Sequence, residues 1–179
     1  MRQCSDITVV IKGAGEMASG IVHRLYEAGL RRMAMLETDN PLCVRRYVSF
    51  CEAVHDGAQE VEGVRARRVD TIENVVPAWE AGEIAVIVDP DWKIMPALAP
   101  DVVVDAIMAK RNLGTGSHEA RLVIGVGTGF TAPHDVHAVI ESNRGHDLGR
   151  VIYNGSAEPH TGIPGTIEGL SAERVLRAP

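Results

Sequence analysis

The first forty residues alternate apolar and polar segments in a regular way. Residues 7–11 form a β-branched run typical of a central parallel strand buried on both faces. A glycine-rich turn begins at residue 13, and residues 33–36 form a second apolar run that ends at Glu37. Between them, an apolar stripe at helical spacing predicts an amphipathic helix; its members are Met17, Ile21, Leu25 and Ala28. Gly29 stands where glycine commonly ends a helix. The pattern therefore predicts a βαβ unit.

Strands and helices are predicted to alternate up to about residue 107. The predicted segments are an extended strand at 61–69, a helix at 71–81, a buried strand at 84–88, a short helix at 92–98 and a buried strand at 102–107. This alternation predicts an α/β fold with a Rossmann-like, three-layer parallel sheet. We assign residues 1–111 to this nucleotide-binding portion.

The pattern changes after residue 112. Short apolar runs at 122–124, 138–140 and 151–153 are separated by glycine and polar residues, with no helix of ordinary length between them. Residues 112–179 are therefore predicted to form a β-rich C-terminal portion. It would either pack on the same sheet or form a small lobe.

Composition and charge narrow the class of protein. Hydrophobic residues make up 45% of the chain, which predicts a globular fold rather than disorder. The net charge of -6 argues against a nucleic-acid partner, since such partners require clustered positive charge. No apolar run approaches the length of a membrane helix, and no signal-peptide pattern is present. Three cysteines form no disulfide framework. These features indicate a cytoplasmic protein without a membrane partner.

The glycine turn carries the clearest chemistry. Gly13 allows a sharp turn, and Gly15 lets a pyrophosphate approach the backbone. Ala18 takes the third position, where a small residue lets the helix pack on the strand. The helix N-terminus would then face the phosphates, and Glu37 would accept hydrogen bonds from ribose hydroxyls. The alternative is a Rossmann-like turn that has lost its ligand.

Further charged residues are weaker candidates. Arg45 and Arg46 could clamp a phosphate, or they could be a solvated pair in a loop. Asp89, Asp105 and Lys110 stand near the ends of two predicted strands and are expected to line one crevice. The alternative for them is a structural role as capping aspartates and a surface lysine.

The histidines and cysteines leave their roles open. His137 and His146, with acidic residues nearby, make a metal site conceivable, but no zinc-type spacing is present and we assign no metal ligands. We retain both histidines as weak catalytic candidates beside Asp105 and Lys110. Cys43 lies close to Arg45, and a nearby cation favours a thiolate. An unreactive thiol is the alternative.

Several stretches spread along the chain match one family. The sequence resembles the accessory proteins of the selenium-dependent molybdenum hydroxylase system. The matching stretches are KGAGEMASG at 12–20, EAVHDG at 52–57, VEG at 61–63, VDAIMAK at 104–110, GTGFTA at 127–132, HAVIESNRGH at 137–146 and TGIPG at 161–165. They occur in order and cover nearly the whole chain, so together they are more specific than the glycine turn alone.

The resemblance implies a role in maturing or inserting the molybdenum cofactor of selenium-dependent hydroxylases. The ligand would be NAD(P) or a molybdopterin dinucleotide, and a hydroxylase apoprotein would be a partner. An NAD(P)-dependent oxidoreductase with Lys110 or His137 as proton donor and a non-catalytic docking module remain alternatives. A homodimer is left open, because two-fold dimers are the commonest homo-oligomers. Family members often have proline at the position of Thr128, and they usually continue past residue 179 into a small lipoyl-like β-barrel, so the chain is expected to be truncated.

Overall fold

A nine-stranded, mostly parallel sheet forms the centre of the protein. The computed structural model describes residues 3–159 and 168–170. The sheet runs in the order β10-β9-β7-β6-β1-β2-β5-β4-β3, and β8 and β11 form a separate two-stranded sheet. The strands are β1 Thr8–Lys12, β2 Arg32–Glu37, β3 Ala58–Val61, β4 Val64–Arg68, β5 Ile84–Val88, β6 Val102–Asp105, β7 Leu122–Val126, β8 Thr131–Ala132, β9 Ala138–Ile140, β10 Val151–Ile152 and β11 Gly155–Ser156.

Helices cover both faces of this sheet. The described residues form α1 Glu16–Glu27, α2 Ala53–Asp56, α3 Val75–Glu80 and α4 Met95–Leu98. Two apolar clusters separate the layers: α1 and α2 contribute to one, and α3 and α4 contribute to the other. The prediction of an α/β fold with a three-layer, mostly parallel sheet is therefore confirmed.

The central strand β1 shows why the fold takes this form. It pairs in parallel with β2 on one side and β6 on the other. Because side chains alternate along a strand, Val9 and Ile11 belong to the cluster with α1, whereas Val10 belongs to the opposite cluster. All five residues of β1 are buried. A β-branched strand is thus covered on both faces, as its sequence predicts.

The first helix ends as its sequence predicts, and Ile21 and Leu25 of the predicted stripe pack against the core. Gly29 has φ +96° and donates its N–H to the Tyr26 carbonyl, which is the glycine-terminated form of a helix end. Met17 belongs to the predicted apolar stripe, yet its side chain is 41% exposed. The fully buried residues of α1 are Ala18, Ser19 and Val22.

Other element boundaries also differ from the predictions. The single strand expected at 61–69 is wrong: β3 and β4 form an antiparallel hairpin that turns at Glu62 and Gly63, both of positive φ. The helix expected at 71–81 is divided into a 3-10 turn at Ile72–Asn74 and α3. The strand expected at 102–107 stops at Asp105.

The C-terminal portion continues the sheet. Strands β7 and β9 pair in parallel with each other, and β10 adds an antiparallel edge strand. In the described part of the chain, no helix is both long and apolar enough to cross a membrane. The TGIPG stretch at 161–165 lies outside the described residues.

The turn after β1 depends on a glycine. Gly13 has φ +92°, and a Cβ there would lie 3.3 Å from the Ile107 Cα. We predict that Gly13→Ala lowers the free energy of unfolding by about 1–3 kcal/mol, since both the backbone conformation and the contact oppose a side chain. Urea unfolding monitored by circular dichroism measures this loss.

The matched control is Gly20→Ala. Gly20 lies in α1, where an added Cβ would meet no atom of another element within 4 Å, and alanine there should stabilise the helix by about 0.5–1 kcal/mol. Equal effects of the two substitutions would contradict the assigned role of Gly13.

Candidate functional site

A crevice opens where the strand order reverses. From β1 the chain passes outward to β2 on one side and later returns to β6 on the other, so the carboxyl ends of these strands flank a topological switch point. Ligands of open α/β sheets bind at such points. The crevice has a volume of about 440 Å³. Its lining comprises Gly13, Gly15, Glu16, Met17, Glu37, Thr38, Asn40, Pro41, Leu42, Cys43, Ala106, Ile107 and Met108.

Glu37 is fixed at the floor of this crevice by two backbone amides. The Ala14 N–H donates to Oε2 at 2.7 Å, and the Thr38 N–H donates to Oε1 at 2.8 Å. Each carboxylate oxygen has two lone pairs, so each can accept another hydrogen bond. The carboxylate is therefore oriented in advance and still able to accept bonds from hydroxyl groups of a ligand.

The N-terminus of α1 opens towards the same crevice. Gly15 is the N-cap residue, has an extended backbone, and receives no side-chain cap within the described residues. Ser19, one turn into the helix, donates its hydroxyl to the Ala14 carbonyl at 3.1 Å and accepts the Phe50 N–H at 2.8 Å. The first amides of a twelve-residue helix, with its positive dipole end, thus adjoin the crevice.

The two arginines pair with carboxylates of the protein. Arg46 donates from Nε to Glu52 Oε2 at 2.7 Å, and this pairing lowers the pKa of the Glu52 carboxyl. Arg45 approaches Glu16 Oε1, with Nε at 3.4 Å and its backbone N–H at 2.6 Å. Neither arginine is among the residues lining the crevice. A phosphate clamp would have to compete with these carboxylates.

Lys12 and Asp105 lie together in a buried polar cluster. The Lys12 ammonium is fully buried, donates to Thr115 Oγ1 at 2.8 Å and to Glu119 Oε1 at 2.9 Å, and lies 3.4 Å from the centre of the Trp92 ring. Thr115 Oγ1 in turn donates to Asp105 Oδ2 at 2.6 Å. The cluster joins β1 and β6 to the loop that follows β6.

Burial dominates the ionisation of this cluster. Desolvation lowers the pKa of Lys12, although the hydrogen bond and charge of Glu119 oppose the shift. Desolvation likewise raises the pKa of Asp105 above its ordinary value, against hydrogen bonds from Thr115 and Ile107 and the charge of Lys12. Through these contacts, Lys12 and Asp105 connect the ends of β1 and β6 to the loop that follows β6.

The expected group of Asp89, Asp105 and Lys110 does not line one crevice. Asp89 Oδ2 accepts the Ile94 N–H at 2.8 Å and so holds the start of the segment before α4. Asp105 is buried in the Lys12 cluster. Lys110 is exposed, and its own backbone has a positive φ. After β6, the residues from Ala106 to Met108 form part of the crevice wall.

The two candidate histidines are apart. His137 Nδ1 accepts the Val123 N–H at 2.9 Å, and the His137 N–H donates to the Val123 carbonyl, so this residue joins β7 to the start of β9. His146 is exposed in the turn between β9 and β10. Neither lines the crevice.

Part of one crevice wall was not predicted from the sequence. Pro41, Leu42 and Cys43 follow β2 and line the crevice. The Asp-Asn-Pro run at residues 39–41 predicts a loop at the end of β2, which places this segment near the strand ends. Nothing in the sequence indicated that it folds back towards the glycine turn.

Comparisons with known proteins give one relative and no activity. No family model matches the chain. Over 171 residues the chain is 50% identical to "Uncharacterized protein YqeB" of Escherichia coli (strain K12). The match covers 96% of this chain and 31% of that protein, so the chain spans about a third of the length of the curated relative it matches.

The buried Lys12 cluster yields a stability prediction. Lys12→Met should lower the free energy of unfolding by about 3–5 kcal/mol, because it leaves the carboxylates of Glu119 and Asp105 without their cation. The double variant Lys12→Met/Glu119→Gln should recover part of this loss. Urea unfolding at neutral pH provides the measurement.

The matched control is Lys93→Met. Lys93 forms an exposed pair with Asp91 at 2.6 Å, so its loss should leave the unfolding midpoint nearly unchanged. A Lys12→Met midpoint equal to that of Lys93→Met would show that the cluster does not stabilise the strand ends.

Proposed function

We propose that the crevice binds a nucleotide-type ligand through Glu37 and the N-terminus of α1. The observation that carries the proposal is the pre-oriented Glu37 carboxylate, held by the Ala14 and Thr38 amides beside an uncapped helix N-terminus. A ribose offers hydroxyl donors to the carboxylate, and phosphates accept from the helix amides. The crevice volume of about 440 Å³ is in the range of small-molecule sites.

The charges in the crevice favour some nucleotides over others. Glu37 would repel a phosphate on the ribose 2′ position, which favours NAD over NADP. Glu16 adds a second carboxylate at the start of α1, although the nearby Arg45 partly neutralises it. A ligand with a single pyrophosphate, such as NAD or a molybdopterin dinucleotide, suits this balance.

The biological role proposed for this ligand is in maturing or inserting the molybdenum cofactor of selenium-dependent hydroxylases. This step rests on the resemblance of the whole sequence to accessory proteins of that system. The crevice supports it by offering a site for the dinucleotide part of the cofactor. An oxidoreductase role has less support, because Lys110 and His137, its proposed proton donors, lie outside the crevice lining.

A docking role is the second candidate, and one surface favours it. Leu42, Val44 and Tyr47 in the loop after β2 are each more than nine-tenths exposed, at 91%, 91% and 92%. Apolar side chains grouped on one loop often mark a protein-binding surface. Since Leu42 also lines the crevice, a protein bound there would contact the crevice mouth.

The nucleotide proposal is tested at Glu37. Glu37→Ala should weaken binding of NAD⁺ or a cytidine nucleotide by about 1–3 kcal/mol, the cost of losing hydrogen bonds to a charged acceptor. Isothermal titration calorimetry measures the affinity. Glu37→Gln, which keeps an oxygen acceptor for the Ala14 N–H, separates loss of the ribose contact from loosening of the turn.

Glu27→Ala is the matched control, because Glu27 is exposed at the far end of α1. Mass spectrometry of gently purified, then denatured protein would identify any ligand that co-purifies. The nucleotide proposal would be contradicted if Glu37→Ala bound the nucleotide as tightly as the wild type. It would also be contradicted if the wild type bound none of NAD(H), NADP(H) and cytidine nucleotides.

The docking candidate is tested at the exposed loop. Leu42→Ser/Tyr47→Ser should weaken binding of a purified selenium-dependent molybdenum hydroxylase apoprotein by about tenfold or more, since exposed aromatic and aliphatic anchors dominate many interfaces. Biolayer interferometry measures the change. Leu148→Ser is the control, because Leu148 is 57% exposed in the turn between β9 and β10. Equal binding by both variants would remove this loop as the docking surface.

A further inference from the structure

Two thiols and a carboxylate converge beside the crevice. The Sγ atoms of Cys43 and Cys51 and a carboxylate oxygen of Glu52 all lie within 4.8 Å of one another. Cys51 and Glu52 are buried, and Cys43 lines the crevice. Among the described residues this is the one group of three or more histidine, cysteine or acidic side chains whose spacing suits a metal ion.

The backbone around this cluster is held in place by the glycine turn. The Cys51 N–H donates to the Ala14 carbonyl at 2.8 Å. The preceding Phe50 N–H donates to Ser19 Oγ at 2.8 Å. The segment carrying Cys51 and Glu52 is therefore fixed against α1 and the turn before it. Metal sites need such rigid support, since their ligands must keep a defined geometry.

The two oxygens of Glu52 have different partners. Oε2 accepts a hydrogen bond from Nε of the Arg46 guanidinium at 2.7 Å. Oε1 accepts a hydrogen bond from the Cys43 thiol, with Sγ at 3.2 Å. The arginine thus orients the carboxylate so that Oε1 lies on the side of the sulfurs. An outer partner that orients a ligating carboxylate is common at metal centres.

We propose that Cys43 Sγ, Cys51 Sγ and Glu52 Oε1 bind a thiophilic divalent cation of the Zn²⁺ type, with its fourth coordination position open to the crevice. Zinc takes thiolate and carboxylate ligands in tetrahedral geometry at about 2.0–2.3 Å. Ligand atoms in such a tetrahedron are about 3.3–3.8 Å apart. The three atoms therefore need only a small contraction around the ion.

The charges balance when the ion binds. Two thiolates and the Glu52 carboxylate supply three negative charges, which the dication and the Arg46 guanidinium cancel. A buried charge is tolerated only when it is compensated in this way. Because cysteine binds zinc as a thiolate, metal binding releases protons.

An open fourth position distinguishes this site from a closed structural one. Structural zinc usually has four protein ligands, whereas three protein ligands leave room for water or a ligand atom. Because Cys43 is part of the crevice lining, a ligand in the crevice can reach the ion. The inference does not depend on nucleotide binding, which uses Glu37 and the start of α1.

The test is a titration of reduced, chelator-treated protein with Zn²⁺ against a chromophoric chelator. We expect one equivalent per chain, with protons released on binding. Cys43→Ser should weaken binding at least about 100-fold, since loss of even an outer partner costs 10- to 100-fold. Glu52→Gln should weaken it less. Co²⁺ in place of Zn²⁺ should give absorption bands of a tetrahedral thiolate complex.

The controls separate binding from folding. Cys4→Ser removes an exposed thiol outside the cluster and should bind Zn²⁺ like the wild type. Cys43→Ser changes a half-buried thiol, whereas Cys51→Ser changes a buried one, so the first variant carries the conclusion if the second fails to fold. Circular dichroism checks the fold of each.

Three results would overturn the proposal. The first is a wild type that takes up no Zn²⁺ at micromolar concentration. The second is equal affinity in wild type and a folded Cys43→Ser. The third is a reduced protein that does not bind Zn²⁺ but forms a Cys43–Cys51 disulfide when a small-molecule disulfide is added as oxidant. The two cysteines would then be a redox centre.

Discussion

The peptide groups around Ala14 connect the crevice, the start of α1 and the segment that carries Cys51. The Ala14 N–H orients the Glu37 carboxylate at the crevice. The Ala14 carbonyl accepts both the Ser19 hydroxyl and the Cys51 N–H. These bonds tie β2, α1 and the segment carrying Cys51 to one peptide group, in addition to the apolar cluster that they share. Each bond is modest in net energy, but together they satisfy a buried backbone whose polar groups cannot remain unpaired.

That anchor requires a chain that turns abruptly after β1. Gly13 adopts a positive φ and donates its N–H to the Leu36 carbonyl, which keeps the turn against β2. The start of α1 is then set beside the strand ends, where the sheet order reverses. The crevice is a consequence of this geometry, since neighbouring strands leave the switch point in opposite directions.

Charge burial shapes the other side of the strand ends. Lys12 completes the buried strand β1, so its ammonium needs partners that no residue near it in sequence supplies. Thr115 and Glu119, more than a hundred residues later, provide them. The loop after β6 therefore folds back over the strand ends. Asp105 is drawn into the same cluster, which explains why this aspartate does not line the crevice.

The sequence by itself determined the local units. The β-branched run, the glycine turn and Gly29 specify β1, α1 and its end, because backbone conformation and burial pattern act over a few residues. The position of Glu37, at the end of β2 and beside the glycine turn, was predictable because strand ends and glycine turns have fixed relations in βαβ units. The tertiary structure decided which segments of the chain contact one another. Thr115 beside Lys12, and Cys43 beside Cys51 and Glu52, meet only when distant or folded-back segments pack together. Such contacts depend on the summed packing of the whole chain, which no local pattern encodes.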